Sequence, residues 1–72
     1  MTQATTIRIH LNGEARTASA GTSVDAFVAA LGLRPEVVAV EVNEALVPRA
    51  ERGRTLLRDG DRVEVVTLVG GG

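Results

Sequence analysis

The sequence predicts an α+β domain in which one main helix covers one face of a mixed sheet of four to five strands. Three observations carry this. An alternating strand pattern runs straight into Asn12-Gly13, the strongest short-range hairpin signal. A single stretch, Val24 to Leu31, has helical spacing. Two further Val-rich runs follow it, and one apolar helix stripe is enough to cover one sheet face.

The elements follow in order. Thr6-Ile7-Arg8-Ile9-His10-Leu11 alternates with period two, so Ile7, Ile9 and Leu11 face a core while Arg8 and His10 point outward. After the Asn12-Gly13 turn, Glu14 to Ala18 returns as a weaker strand. Ser19-Ala20-Gly21 is a loop. Thr22 or Ser23 caps the helix, and Asp25, three residues after Thr22, comes close to a capping box and favours the helix dipole. Val24, Phe27, Val28 and Leu31 form one helical face. Gly32 stops the helix and Pro35 lies just beyond.

Val38 to Val42 is the next strand, with Val38, Val40 and Val42 on one side, and Asn43-Glu44 turns the chain. Ala45-Leu46-Val47 is a very short strand that Pro48 confines to a sheet edge. Arg49 to Leu57 lacks a period; Leu56, Leu57 or both drop into the core. Asp59-Gly60-Asp61 is a tight turn feeding the last strand, Arg62 to Leu68. This order is that of the β-grasp, in which the first and last strands lie parallel at the centre. Val63 and Val65 point to the helix, so Val66 and Leu68 point to the open face. These two form either a partner-docking patch or exposed apolar residues of no consequence, with a β-bulge as a further alternative.

Composition limits the functions available. Seventy-two residues make one domain, 1–72, and the chain has no cysteine to staple it. All eight basic residues are arginine, interspersed with nine acids for a net charge of −1, so the surface reads as mixed and solvated. Phe27 is the single aromatic residue, which argues against nucleic-acid binding. The absence of lysine removes any ε-amine for isopeptide modification. No apolar run is long enough to span a membrane and Met1 to Thr6 is not a secretory signal, so a cytoplasmic location is expected.

No catalytic constellation is visible. His10 is the one histidine, with no cysteine or second histidine to pair with, so neither a metal site nor a nucleophile is expected. Asp59 and Asp61 read as turn residues, not as a calcium loop. Ser19 and Ser23 read as loop and cap residues. What remains is Gly70-Gly71-Gly72, placed directly after the last strand as part of a flexible tail, 69–72. The glycines are either a frayed end or a functional one. Without Cβ atoms they could thread a narrow channel, and three extended residues span about 10 Å. Adenylation would turn the unreactive Gly72 carboxylate into a mixed anhydride open to a sulfur nucleophile.

The chain resembles the ThiS family of sulfur carrier proteins of thiamin biosynthesis, which are ubiquitin-like. The resemblance rests on Leu11-Asn12-Gly13-Glu14, Gly21-Thr22-Ser23-Val24, the run Val40 to Arg49 with its Val42-Asn43-Glu44 and Val47-Pro48-Arg49, the turn Asp59-Gly60-Asp61 and the ending Val69 to Gly72. It implies a protein that is a substrate, not an enzyme, and that binds no cofactor. A ThiF-type adenylyltransferase would use ATP and magnesium to adenylate Gly72. A cysteine desulfurase or similar donor would supply the sulfur, and a ThiG-type thiazole synthase would accept it from the thiocarboxylate. Gly70 and Gly71 would thread the partner's active site, and Val66 and Leu68 would dock. Arg49 is either structural or a partner contact. The alternatives are the molybdopterin-synthase small subunit (MoaD-like), a ubiquitin-like protein modifier, and an RNA-linked β-grasp module. A monomer is expected for the isolated chain.

Overall fold

The computed structural model describes residues 5–68. Five strands form one mixed sheet: β1 (Thr6–Leu11), β2 (Glu14–Ser19), β3 (Val38–Val42), β4 (Ala45–Leu46) and β5 (Arg62–Thr67), in the spatial order β2-β1-β5-β3-β4. β1 and β5 run parallel; the other neighbours are antiparallel. A helix, α1 (Val24–Ala30), packs on one face. The expected β-grasp is therefore the fold, and β5 lies at its centre.

Each turn follows from its residues. Asn12 (φ 50°) and Gly13 (φ 87°) both adopt the left-handed conformation that a two-residue hairpin between right-twisted strands demands. Asn43 (φ 53°) and Glu44 (φ 71°) do the same between β3 and β4. β2 extends one residue further than its pattern suggested, to Ser19, because Ser19 still pairs with Thr6. Helix α1 is capped by Ser23, whose Oγ accepts from the Ala26 N–H at 3.0 Å. Thr22 is not the cap: its hydroxyl donates to the Ser19 carbonyl at 2.7 Å, so the Thr22–Asp25 box does not form. Gly32 follows the helix at φ 79°.

The core lies between α1 and the inner sheet face. Ile9, Val24, Val28, Val40 and Val63 are its largest fully buried side chains, with Ile7, Leu11, Phe27, Val38, Leu57 and Val65 around them. The aperiodic stretch after β4 holds a 3-10 turn at Arg49–Glu51, while β4 itself stops at Leu46. Of the two candidate leucines, Leu57 enters the core and Leu56 stays 52% exposed.

Two readings of the charged residues are corrected. Arg52 is buried (4% exposed), not part of a solvated surface. Its Nη1 donates to the Pro35 carbonyl at 2.9 Å and its Nη2 to the Val38 carbonyl at 2.8 Å, which ties the 3-10 turn Pro35–Val37 to the start of β3. Asp61 is also buried (8%), because its carboxylate accepts from the Arg58 N–H and from the Asn43 side chain.

Candidate functional site: the open sheet face around β5

Strand β5 is the root of the glycine segment, and the fold holds it from both sides. On one side it pairs with β3 over five residue pairs, from Val42–Val63 to Val38–Thr67, and the Leu68 N–H donates to the Val37 carbonyl at 2.7 Å. On the other side the parallel pairing with β1 is short: His10 with Arg62 and Leu11 with Val63. Beyond that the chain turns away at Asn12. The Asn12 carboxamide continues the ladder in place of backbone. The Val65 N–H donates to Asn12 Oδ1 (2.9 Å) and Asn12 Nδ2 donates to the Val65 carbonyl (3.1 Å). Asn43 does similar work at the start of the strand. Its Oδ1 accepts from the Arg62 N–H at 2.9 Å, and its Nδ2 donates to Asp61 Oδ1 at 3.0 Å. Both asparagines therefore serve twice: they accept the left-handed turn backbone, and their side chains bracket β5.

Because side chains alternate across a strand, β5 divides cleanly. Val63 and Val65 are buried against the helix side, while Val66 (55%) and Leu68 (57%) are exposed on the open face, where the sequence placed them. Four further residues lie beside them. Ala39 lies opposite Val66, Glu41 opposite Glu64, and Leu46, 63% exposed, opposite Glu41 on β4. Ala39, Glu41, Glu64 and Val66 line a shallow groove of about 180 Å³. The sequence reading missed Leu46, Ala39 and the two glutamates as part of this surface. The signal was parity: Val47 is buried, so its neighbour Leu46 faces outward. Which strand Leu46 would border required the register.

The other candidate residues lie elsewhere. Arg49 is exposed at the start of a 3-10 turn. His10 is exposed and lines a depression of about 350 Å³ with Gly13, Glu44, Arg62, Val63 and Glu64. Asp59 lies in the expected turn, which the Asp61 N–H closes on the Arg58 carbonyl at 3.0 Å, and its Oδ1 accepts from the Arg8 N–H at 2.8 Å and ties the turn to β1. Among the described residues no group of three or more His, Cys, Asp or Glu is arranged to hold a metal ion. No helix of the described residues is long and apolar enough to cross a membrane. Gly70, Gly71 and Gly72, the proposed threading and sulfur-carrying positions, lie outside the described residues.

Comparison with known proteins gives this geometry a family. A thiamine biosynthesis protein (ThiS) from Geobacter metallireducens has a crystal structure that superposes with a TM-score of 0.76 at 31% identity, covering 92% of this chain and 100% of that one. A thiazole synthase of Magnetococcus marinus is 47% identical over 66 residues, which are 92% of this chain but 20% of that protein. The chain thus spans about a fifth of the length of this relative. The uncharacterized protein ycf40 of Pyropia yezoensis is 41% identical over 66 residues, 92% of this chain and 93% of that one. The model of the ThiS family matches residues 9–72, from the middle of β1 through the last glycine, and the chain belongs to that family.

Proposed function

We propose that this protein is a thiamine-related sulfur carrier whose working group is the carboxylate of Gly72. The observation that carries the reading is the family match running through Gly72, on a chain whose central strand β5 ends at Thr67, three positions before Gly70. In this reading a Gly72 carboxylate oxygen attacks the α-phosphorus of ATP, held with magnesium by a ThiF-type adenylyltransferase, and pyrophosphate leaves. Hydrosulfide then displaces AMP from the acyl carbon and leaves a thiocarboxylate. With a cysteine-derived persulfide as nucleophile, AMP leaves to give an acyl disulfide, and a second thiol cleaves its S–S bond, releasing the thiocarboxylate and departing as a disulfide with the donor's sulfur. Gly70 and Gly71 present no Cβ to a narrow channel, so the body of the domain stays outside while Gly72 reaches the nucleotide. The bracketed β5 supplies the rigid base from which that reach is measured.

The acceptor is a thiazole synthase. Two proteins of that name, from Magnetococcus marinus and Paramagnetospirillum magneticum, each contain a segment similar to this chain within one polypeptide, at 47% and 38% identity. Carrying donor and acceptor on one chain raises their effective concentration, which is what a sulfur hand-over gains from fusion.

The test is direct. The chain, a ThiF-type adenylyltransferase, ATP and magnesium are expected to release pyrophosphate, and a sulfur donor then to shift the intact mass by one oxygen-to-sulfur exchange. Deleting Gly72, or the substitution Gly71→Val, is expected to abolish both signals with no change in unfolding midpoint. A chain lacking Gly72 that still acquires sulfur would refute the reading. Accumulation of the chain on other proteins through isopeptide bonds would replace it with a modifier function.

A further inference from the structure

Glu41 and Glu64 are direct cross-strand partners on the open face. Side chains so placed have Cβ atoms about 5 Å apart, and like charges there destabilise a sheet. Among the described residues, the one ion pair joins Arg54 to Glu51, well outside this face, so no ion pair relieves the two carboxylates. Arg8 and His10 share the face but stand on β1, and Arg62, two residues before Glu64 on β5, is the nearest cation yet makes no ion pair with either carboxylate. The next pair along is Ala39 with Val66. The small alanine leaves the groove described above, with an apolar floor and wall at one end and two carboxylates at the other. Leu46 flanks it on β4. The groove offers an apolar path to an aliphatic stem and a doubly acidic end to a cationic head.

We propose that this groove receives a single basic side chain, an arginine, from the adenylyltransferase, with its stem on Ala39 and Val66 and its guanidinium between Glu41 and Glu64. The proposal rests on the sulfur-carrier reading and names the chemistry of the partner's contact. An arginine fits better than a lysine because its planar fork can meet two carboxylates at once while its stem packs on apolar surface. The repulsion tolerated in the free chain then becomes attraction in the complex. The groove shares its face with Val66 and Leu68, so one contact would fix the approach of the domain while the glycines enter the catalytic channel.

The experiment is calorimetric titration of the full-length chain into the adenylyltransferase at two salt concentrations, with E41Q/E64Q and the control E44Q. The double variant is expected to lose about tenfold in affinity and most of the salt dependence, as removal of an interfacial charge pair does. E44Q should stay within about twofold of wild type, in the range of substitutions at the rim. The unfolding midpoint of the double variant should equal or exceed that of wild type. Wild-type binding matched by E41Q/E64Q overturns the proposal and leaves the carrier reading standing, as does a lowered midpoint that accounts for the lost affinity. Wild-type self-association abolished by the same double substitution assigns the groove to a second copy and likewise overturns it. A wild-type chain that neither binds nor is adenylated refutes the carrier reading itself, and the proposal with it.

Discussion

Asn12 joins two requirements in one residue. Its backbone sits at φ 50° and its carboxamide makes two hydrogen bonds to Val65, 53 positions away. The two can be separated. Asn12→Gly keeps the turn and loses the bracket, so a destabilisation of about 1–2 kcal/mol is expected from urea unfolding. Asn12→Ala loses the bracket and forces an alanine into the left-handed region, which adds roughly 1 kcal/mol. Equal values for the two variants would mean that the turn conformation carries no cost here. Arg52 poses a different question. Its guanidinium satisfies two carbonyls but is buried, and its Nε has no hydrogen-bond partner. Arg52→Ala should cost about 3 kcal/mol by emptying the site and orphaning the Pro35 and Val38 carbonyls. Arg52→Met should cost less, because it refills the space of the stem, while both variants lose the charge and the two hydrogen bonds to carbonyls. The difference between the two unfolding free energies is the packing share of the stem.

At the scale of elements, α1 has only seven residues, too few to be stable alone, and exists because Val24, Phe27 and Val28 are buried against the sheet. At its start the Ala26 N–H donates to Ser23 Oγ, while the Val24 and Asp25 N–H groups donate to the Thr55 and Arg52 carbonyls. Ser23→Ala should therefore lower stability by about 1 kcal/mol, and Thr22→Ala by less, since Thr22 bonds within the preceding loop. Chemical denaturation of the pair checks which residue is the cap. Strand β5 has the opposite character: flanked on both sides and covered by the helix face, it needs little from local propensity. Its exposed residues Val66 and Leu68 contribute little to the core. Leu68→Asp is expected to leave the unfolding free energy within about 0.5 kcal/mol of wild type and, in the proposed function, to weaken adenylyltransferase binding.

For the whole molecule, a domain of 72 residues has a stability of about 4–10 kcal/mol, so its few fully buried side chains matter individually. Ile9, at 0% exposure, lies on β1 within the core that α1 covers. Ile9→Val should cost about 1 kcal/mol, and Ile9→Ala about 3. Circular dichroism melts would show the alanine variant close to the limit of folding at physiological temperature. The glycine segment belongs to the other side of this division. Its deletion should leave the melt unchanged and remove adenylation, because in the proposed function the body and the working end are energetically independent. In the proposed function the core supplies stability, the open face recognition, and the terminal residues the group transferred.

The sequence by itself determined the elements. Period-two alternation in Thr6–Leu11, the Asn12-Gly13 and Asp59-Gly60-Asp61 turns, and the stripe Val24, Phe27, Val28, Leu31 are local patterns, and local patterns encode secondary structure and the inward face of each element. The placement of Val66 and Leu68 on the open face follows from the same alternation. Only the tertiary structure decided what depends on partners distant in the chain. Arg52 and Asp61 look like ordinary surface charges until the Pro35 and Val38 carbonyls reach the one and the Asn43 carboxamide the other. Glu41 and Glu64 look like unrelated acids until antiparallel register sets them opposite each other. A residue's own neighbours fix its conformation and parity, but its contacts across a sheet are chosen by register, which the packing of the whole core selects.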